Sequence, residues 1–285
     1  MNSHYLCPVC QAPMFIHEAS KGLYCDNKHH IDKHEQGYFL FSQAKKPQID
    51  SRQLMRAKRF LLESGVFNPM VEALLQQLQP VLAERSQAIA HLDFDCGEGF
   101  YLRSLTSSLQ AASPELTQTG ISEAENALFA AAKSYADATY IVSQLKQLPF
   151  ANDSFDLVTL IDKPLKGKEL LRVLKPGGLF VQVSPASRHL WQIKQFLYPE
   201  LTEKKLELTL DKSLTLLSQQ RLSFTLDISA EDALTLLEMT PFAWRASDKI
   251  KKQMLAGDFS QLEVDFYLSI GEKKPVMTKA SRFSL

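Results

Sequence analysis

From about residue 89 the chain alternates strand and helix in a way few folds can satisfy. It reads "AIAHLDF", a helix from Glu98 to Leu109, "LTQTGIS", a helix over "EAENALFAAAKSY", "ATYIVS", "SFDLVTLI", a helix over "KGKELLRVL", and "GLFVQVS". Strands joined by helices pair in parallel, because each crossover returns the chain to the same end of the sheet, and the helices then cover both faces. The expected fold is therefore α/β, a doubly wound sheet. Ligands on such sheets lie at the carboxyl ends of the strands, beside the point where the strand order reverses. The stretch "AHLDFDCGEGF", residues 90–100, closes the first strand at that end.

Within that turn, Gly97 and Gly99 let the backbone approach a ligand and adopt dihedrals other residues avoid. Asp93 is placed to orient the loop, and the amides of the following helix are placed to receive a carboxylate. A glycine pair after a strand is common to many nucleotide folds. Here it is joined by "LPFANDSFDLVTLI" and "LLRVLKPGGLFVQVS", the usual layout of class I methyltransferases.

The 285 residues suffice for one large core and a small appended module. A formal net charge of +0 announces no polyanionic partner globally. One local run, Lys45, Lys46, Arg52, Arg56, Lys58 and Arg59 against Asp50, reads on its own as a solvated helix face. No apolar run approaches the roughly 20 residues needed to span a bilayer, and "MNSHYLCPVC" lacks a signal pattern, so a cytoplasmic location is expected.

Three of the four cysteines fall in the first 25 residues, which is no disulfide framework. Cys7 and Cys10 form C-x2-C, and Cys25 with His29 forms C-x3-H, joined by a hairpin that turns at Lys21-Gly22. Two such knuckles bring four soft ligands to one tetrahedral, structural Zn²⁺, with His30 competing for the fourth position. A segment this short draws most of its folding free energy from the metal.

Between these regions run two amphipathic helices, "SRQLMRAKRFLLESG" and "NPMVEALLQQLQPVLAER". The later chain adds a helix at "SRHLWQIKQFLYPEL", a strand at "RLSFTLDIS", an insertion containing "MTPFAWRA" and a last strand "QLEVDFYLSI". Two closing strands suit a methyltransferase sheet better than a dinucleotide dehydrogenase.

The combination of the C-x2-C/C-x3-H knuckle, "QGYFLF", "MRAKRFLLESGVFNPM", the glycine turn, "LKPGG", "SRHL" and "MTPFAWRA" resembles the 23S rRNA guanine-N1 methyltransferases, from about residue 5 to 270. The resemblance implies a class I, Rossmann-like S-adenosylmethionine fold that methylates N1 of a guanine in a hairpin loop of 23S rRNA as a homodimer. With the character of each segment, it divides the chain into a zinc-binding RNA-recognition module over 1–45, a helical linker or lid over 46–88 and a methyltransferase domain over 89–270 with an insertion about 230–257, while lack of periodicity alone marks a flexible tail over 271–285. Carried across position by position, it implies zinc ligands Cys7, Cys10, Cys25 and His29, and cofactor contacts from Phe67, Gly97, Glu98, Gly99 and His189. Without the resemblance, His189 reads as a helix-surface histidine. Beside a family RNA-binding module the basic run becomes a candidate phosphate-tracking face, and Phe242 or Trp244 a base-stacking aromatic, with packing of the insertion as the other reading of Trp244.

Three positions depart from the family pattern. Asp95 stands where the turn begins with glycine, and Ser122 stands where an acid takes the ribose hydroxyls, with Glu123 and Glu125 displaced along the chain. Asp162-Lys163-Pro164-Leu165 replaces tyrosine-alanine-proline-cysteine. Asp162 is placed to act on guanine N1 as a base or to pair with Lys163 or Lys166, and no catalytic residue is assigned. A carboxylate at position 95 beside the cofactor's own carboxylate would weaken binding by about 1–3 kcal/mol. The alternative function is thus a degenerate methyltransferase fold that binds RNA without cofactor.

Overall fold

The computed structural model describes residues 4–42, 51–83, 88–113, 115–203 and 209–275. Lys45, Lys46 and Asp50 of the basic run, and the end of the tail, lie outside the described residues.

The knuckle segment forms a small antiparallel sheet, in the order β1 (Tyr5–Leu6), β2 (Pro13–Ile16), β3 (Leu23–Cys25) and β4 (His30–Ile31). Met14 and Leu23 are buried, but Val9, Phe15 and Ile16 of the same segment are exposed, so it has little core of its own. It gains burial by docking. The Leu6 amide donates to Pro149 O at 2.9 Å, the Ala151 amide donates to His4 O at 2.9 Å, and Phe150 is fully buried beneath Tyr5. An aromatic buried in this way contributes about 1.5–3 kcal/mol.

Among the described residues the large sheet has eight strands. β5 (Tyr38–Leu40) precedes two helices, α1 (Arg52–Glu63) and α2 (Asn68–Ala83). The others are β6 (Ile89–Phe94), β7 (Leu116–Ser122), β8 (Thr139–Val142), β9 (Phe155–Ile161), β10 (Leu174–Pro185), β11 (Leu214–Leu226) and β12 (Leu262–Lys273). Their order is β11-β12-β10-β9-β6-β7-β8-β5. The strands from β10 to β5 are parallel, and β12 pairs antiparallel to β10 and β11. Strand order reverses between β6 and β9, which puts the switch point at the glycine turn. Residue by residue, β5 adds a parallel edge to β8, with Tyr38 opposite Tyr140, so "QGYFLF" builds the large sheet and not the knuckle.

The central strands are apolar on both faces, as Leu157, Val158, Leu160 and Ile161 show, because both faces are covered. One face carries α1, α2, α3 (Phe100–Ala112), α6 (Trp191–Leu197), α7 (Ala230–Glu238) and α8 (Asp248–Leu255). The other carries the knuckle and α5 (Glu169–Val173), while α4 (Glu125–Ser134) closes the end near β8. Ser51, Ser229 and Ser247 cap α1, α7 and α8 through their hydroxyls, each satisfying an amide with no partner inside its helix.

One expected helix is shorter than its sequence suggests. "SRHL" is a turn and α6 begins at Trp191, because the Arg188 amide donates to the Asp265 carboxylate at 3.0 Å and the Leu190 amide to Glu263 O at 2.8 Å. β12 takes the donors a helix would use. β11 in turn starts earlier than "RLSFTLDIS", at Leu214. Among the described residues, no helix is long and apolar enough to cross a membrane.

Candidate active site and metal centre

The knuckle gathers the four predicted ligands. Cys7 and Cys10 flank a tight turn in which the Gln11 amide donates to Cys7 O at 2.9 Å; Cys25 ends β3 and is tied to His29 by a backbone bond of 3.0 Å. The ligand atoms of Cys7, Cys10, Cys25 and His29 lie within 4.8 Å of one another. Cys10 Sγ is 3.8 Å from Cys25 Sγ, which is 3.5 Å from His29 Nδ1. A tetrahedron with Zn–S of about 2.3 Å and Zn–N of about 2.0 Å has edges of about 3.8 and 3.5 Å, so the donor set fits zinc with no position open for water. Asn27 donates to Cys10 Sγ at 3.3 Å and, with the Ala12 amide, holds that thiol down to about 6. His30, the competing ligand, is exposed, stacks on Tyr24 and faces Asp32.

At the end of β6, Asp93 is buried and accepts from Thr159 Oγ1 at 2.8 Å, while its other oxygen has no partner among the described residues. Burial pushes this carboxyl up to about 7. The turn then runs through left-handed dihedrals at Asp95 (φ 55°), Gly97 (φ 58°) and Gly99 (φ 80°). A Cβ at Gly97 would meet nothing within 4 Å, whereas one at Gly99 would stand 3.2 Å from Ala131 Cβ. Gly97 thus leaves room for a ligand, and Gly99 lets α3 pack on α4.

The side chain of Glu98 is engaged within the protein. Its buried carboxylate lies between Arg59 Nε at 3.1 Å and Arg103 Nη2 at 3.0 Å, and Arg103 also donates to Glu98 O at 2.7 Å. Arg59 further donates to Ala130 O at 2.6 Å. The side chain of Glu98 therefore locks α1 to the turn. This also breaks up the expected cationic face: Lys58 is buried, Arg59 is engaged, Arg52 lies 4.9 Å over Phe129, and only Arg52 and Arg56 of the described run are exposed.

Asp95 has two partners. Ser122 Oγ donates to its Oδ1 at 2.9 Å, and Lys163 Nζ pairs with its Oδ2. The network spans the tips of β6, β7 and the loop after β9. The displaced acids are engaged elsewhere: Glu123 accepts from the Leu145 amide at 3.1 Å and Glu125 from Tyr38 Oη at 2.6 Å.

Asp162, with φ 56° and its amide on Val183 O at 2.9 Å, directly follows β9. Lys163 turns to Asp95 instead of to it. Burial raises the Asp162 carboxyl to about 7, opposed by Lys194 across the cleft. The Tyr101 phenol, raised by burial, faces the same carboxyl.

Phe67 and His189 meet on β12. Phe67 packs edge-on to Phe266 with centroids 6.1 Å apart, and the His189 ring lies 4.3 Å from the same residue. His189 is buried, its Nδ1 accepts from the Asp265 amide at 3.3 Å, and burial lowers its pKa to about 3, so it is a neutral core histidine and not a helix-surface one. Three strand steps, about 14 Å, separate β12 from the glycine turn on β6. Trp244 is 76% exposed with the Arg245 guanidinium 4.6 Å above its ring, so it does not pack the insertion onto the domain.

A model of the methyltransferase domain matches residues 92–182. The protein named "Putative 23S rRNA (guanine-N(1)-)-methyltransferase YxjB" of Bacillus subtilis is 28% identical over 281 residues, 95% of this chain and 98% of its own. The 23S rRNA (guanine(748)-N(1))-methyltransferase of Streptomyces fradiae is 25% identical over 244 residues, 84% of this chain and 85% of its own. Among solved structures, YjhP of E. coli aligns with a TM-score of 0.48 at 17% identity, over 80% of this chain and 100% of its own.

The chain has the class I S-adenosylmethionine methyltransferase fold and is related to the 23S rRNA guanine-N1 methyltransferases. For this fold, the open space at Gly97 and the part-exposed Asp95 carboxylate at the strand tips fit an S-adenosyl ligand at the turn, which Gly97 and Asp95 would hold. Arg59 and Arg103 had no sequence signal beyond their charge, since the Arg59–Glu98 contact spans 39 residues. The partner of Lys163 was equally hidden, 68 residues away.

Proposed function

We propose that this protein is an S-adenosylmethionine-dependent methyltransferase that methylates N1 of a guanine in a hairpin loop of 23S rRNA, acting as a homodimer with a zinc-stabilised N-terminal module. The observation that carries the reading is the extent of the similarity. The general methyltransferase model covers only residues 92–182, but the match to YxjB runs over 95% of the chain, so it includes parts that a shared fold does not require.

When bound, the cofactor supplies an electrophilic methyl group on a sulfonium sulfur. Guanine N1 becomes a competent nucleophile on losing its proton, and Asp162 is the group suited to accept it at Oδ. Its carboxyl, at about 7, is ionised in a useful fraction near neutral pH yet basic enough to take a proton. Lys194 opposes the charge of the ionised form, and the exposed Trp244 offers a ring on which an unpaired base can stack. The neutral His189 and Phe67 pack on Phe266 of β12.

A second reading, a fold that keeps RNA binding without cofactor, draws on the Asp95–Lys163 pair lying across the turn. Incubation of the zinc-loaded protein with 23S rRNA and S-adenosylmethionine separates the two. The first predicts a reverse-transcription stop at one hairpin-loop guanine, since N1 methylation blocks base pairing; the second predicts RNA binding and no stop.

A further inference from the structure

The two departures at positions 95 and 122 lie in contact, and their contact suggests that they are one exchange. On doubly wound sheets that bind adenosine-type ligands, an acid near the end of the second strand of the unit receives the ribose hydroxyls. In this chain that strand is β7, and it ends in Ser122. A serine hydroxyl can take part in such a contact but brings no charge.

A carboxylate nevertheless stands within one hydrogen bond of that position, reached from the neighbouring strand. Asp95 Oδ1 accepts from Ser122 Oγ at 2.9 Å, and the Asp95 side chain is 24% exposed, so it reaches the crevice above the strand tips. Asp95 is the nearby acid bonded to Ser122 itself, while the others are engaged away from it. Glu123 holds the Leu145 amide, Glu125 holds the Tyr38 hydroxyl, and Glu98 is buried between Arg59 and Arg103. Asp93 is buried beneath the turn on Thr159.

The backbone agrees. Asp95 has φ 55°, a left-handed conformation that aspartate adopts more readily than most residues. This turns its side chain toward Ser122. Its second oxygen carries Lys163, whose side chain is 41% exposed and sits on the loop after β9. A lysine so exposed can swing away without unpacking the core, exchanging one solvated partner for another.

We propose that Asp95, held by Ser122, is the carboxylate that receives the ribose hydroxyls of the S-adenosyl ligand, and that Lys163 occupies its second oxygen until the ligand displaces it. This rests on the S-adenosylmethionine-dependent reading above and names the anchor of the same site.

The test is calorimetric titration of S-adenosylhomocysteine into the full-length, zinc-loaded protein and its variants, so that binding is read without turnover. Asp95→Asn and Asp95→Gly both suit the left-handed backbone, and melting curves check that they fold. Both variants are expected to weaken binding on the order of 10- to 100-fold, the range for a lost hydrogen bond to a charged group. Lys163→Ala should tighten it several-fold, and the double variant Asp95→Gly, Ser122→Asp should recover much of the loss. Equal or tighter binding by Asp95→Gly would overturn the proposal, because Asp95 would then obstruct the site. No binding by the wild type at millimolar ligand would overturn it as well. Methyl transfer to rRNA, measured in parallel, bears on the function alone: Asp95-dependent binding without methylation would sink that reading and leave this one standing.

Discussion

At the scale of single residues, the site depends on carboxylates whose roles differ because their surroundings differ. Glu98 is a structural anion. Its side chain is 2% exposed, against 27% and 19% for Arg59 and Arg103, so Glu98→Ala would leave two partly buried guanidinium groups with only the exposed Glu63 carboxylate, 3.9 and 3.8 Å away, as counter-charge among the described residues. The expected loss of stability is about 2–4 kcal/mol, below that for a fully buried pair because both arginines reach water. Chemical denaturation reads it. Asp162 differs in having no hydrogen-bond donor to its carboxylate among the described residues and a pKa raised by burial to about 7. As a proton acceptor it works only when ionised, so the rate should rise as pH increases through about 7 and level off above it. Asp162→Asn should remove that rise and lower kcat on the order of 100-fold or more while changing RNA affinity little. An unchanged pH profile in the variant would exclude Asp162 as the base.

At the scale of elements, the knuckle illustrates a fold completed by a ligand. β1 to β4 bury Met14 and Leu23 but leave Phe15 and Ile16 exposed, and the four donor atoms sit at zinc-like separations. Chelation of the metal, or Cys25→Ser, should release the bonds from β1 to Pro149 and His4 to Ala151. Hydrogen exchange is then expected to rise over residues 5–31 while the β6–β9–β10 core stays protected. Uniform protection after chelation would show that packing alone holds the module. The parallel strands were legible in the sequence because short strand-like segments alternate with helical ones from residue 89 onward. "SRHL" was not, since its helical pattern is overridden by β12, which takes the amides of Arg188 and Leu190. The edge strand β5 left no pattern either: three residues, Tyr38 to Leu40, are too few to show a period.

At the scale of the whole molecule, the alternation of strands and helices and the local motifs carried the reading, while the pairs that join distant segments did not. Arg59 is one of a row of cations in the sequence, and only the folded chain shows it turned inward to Glu98 and Ala130. Recognition of RNA consequently cannot depend on the whole basic run. The exposed cations and rings left for it include Arg52, Arg56, Arg245 and Trp244. Trp244→Ala should weaken binding of an rRNA hairpin by about 1–3 kcal/mol, the range for one lost base-stacking partner, and leave the melting temperature unchanged because the ring is exposed. Arg59→Ala should show the reverse, lower stability with a smaller direct effect on RNA.

The central claim, that this chain methylates guanine N1 of 23S rRNA, is tested most directly by mass spectrometry of nucleosides from 23S rRNA of cells with and without the gene. Loss of one N1-methylguanosine per ribosome, restored by supplying the wild-type protein, is the result predicted. An identical N1-methylguanosine content in the two strains would contradict it.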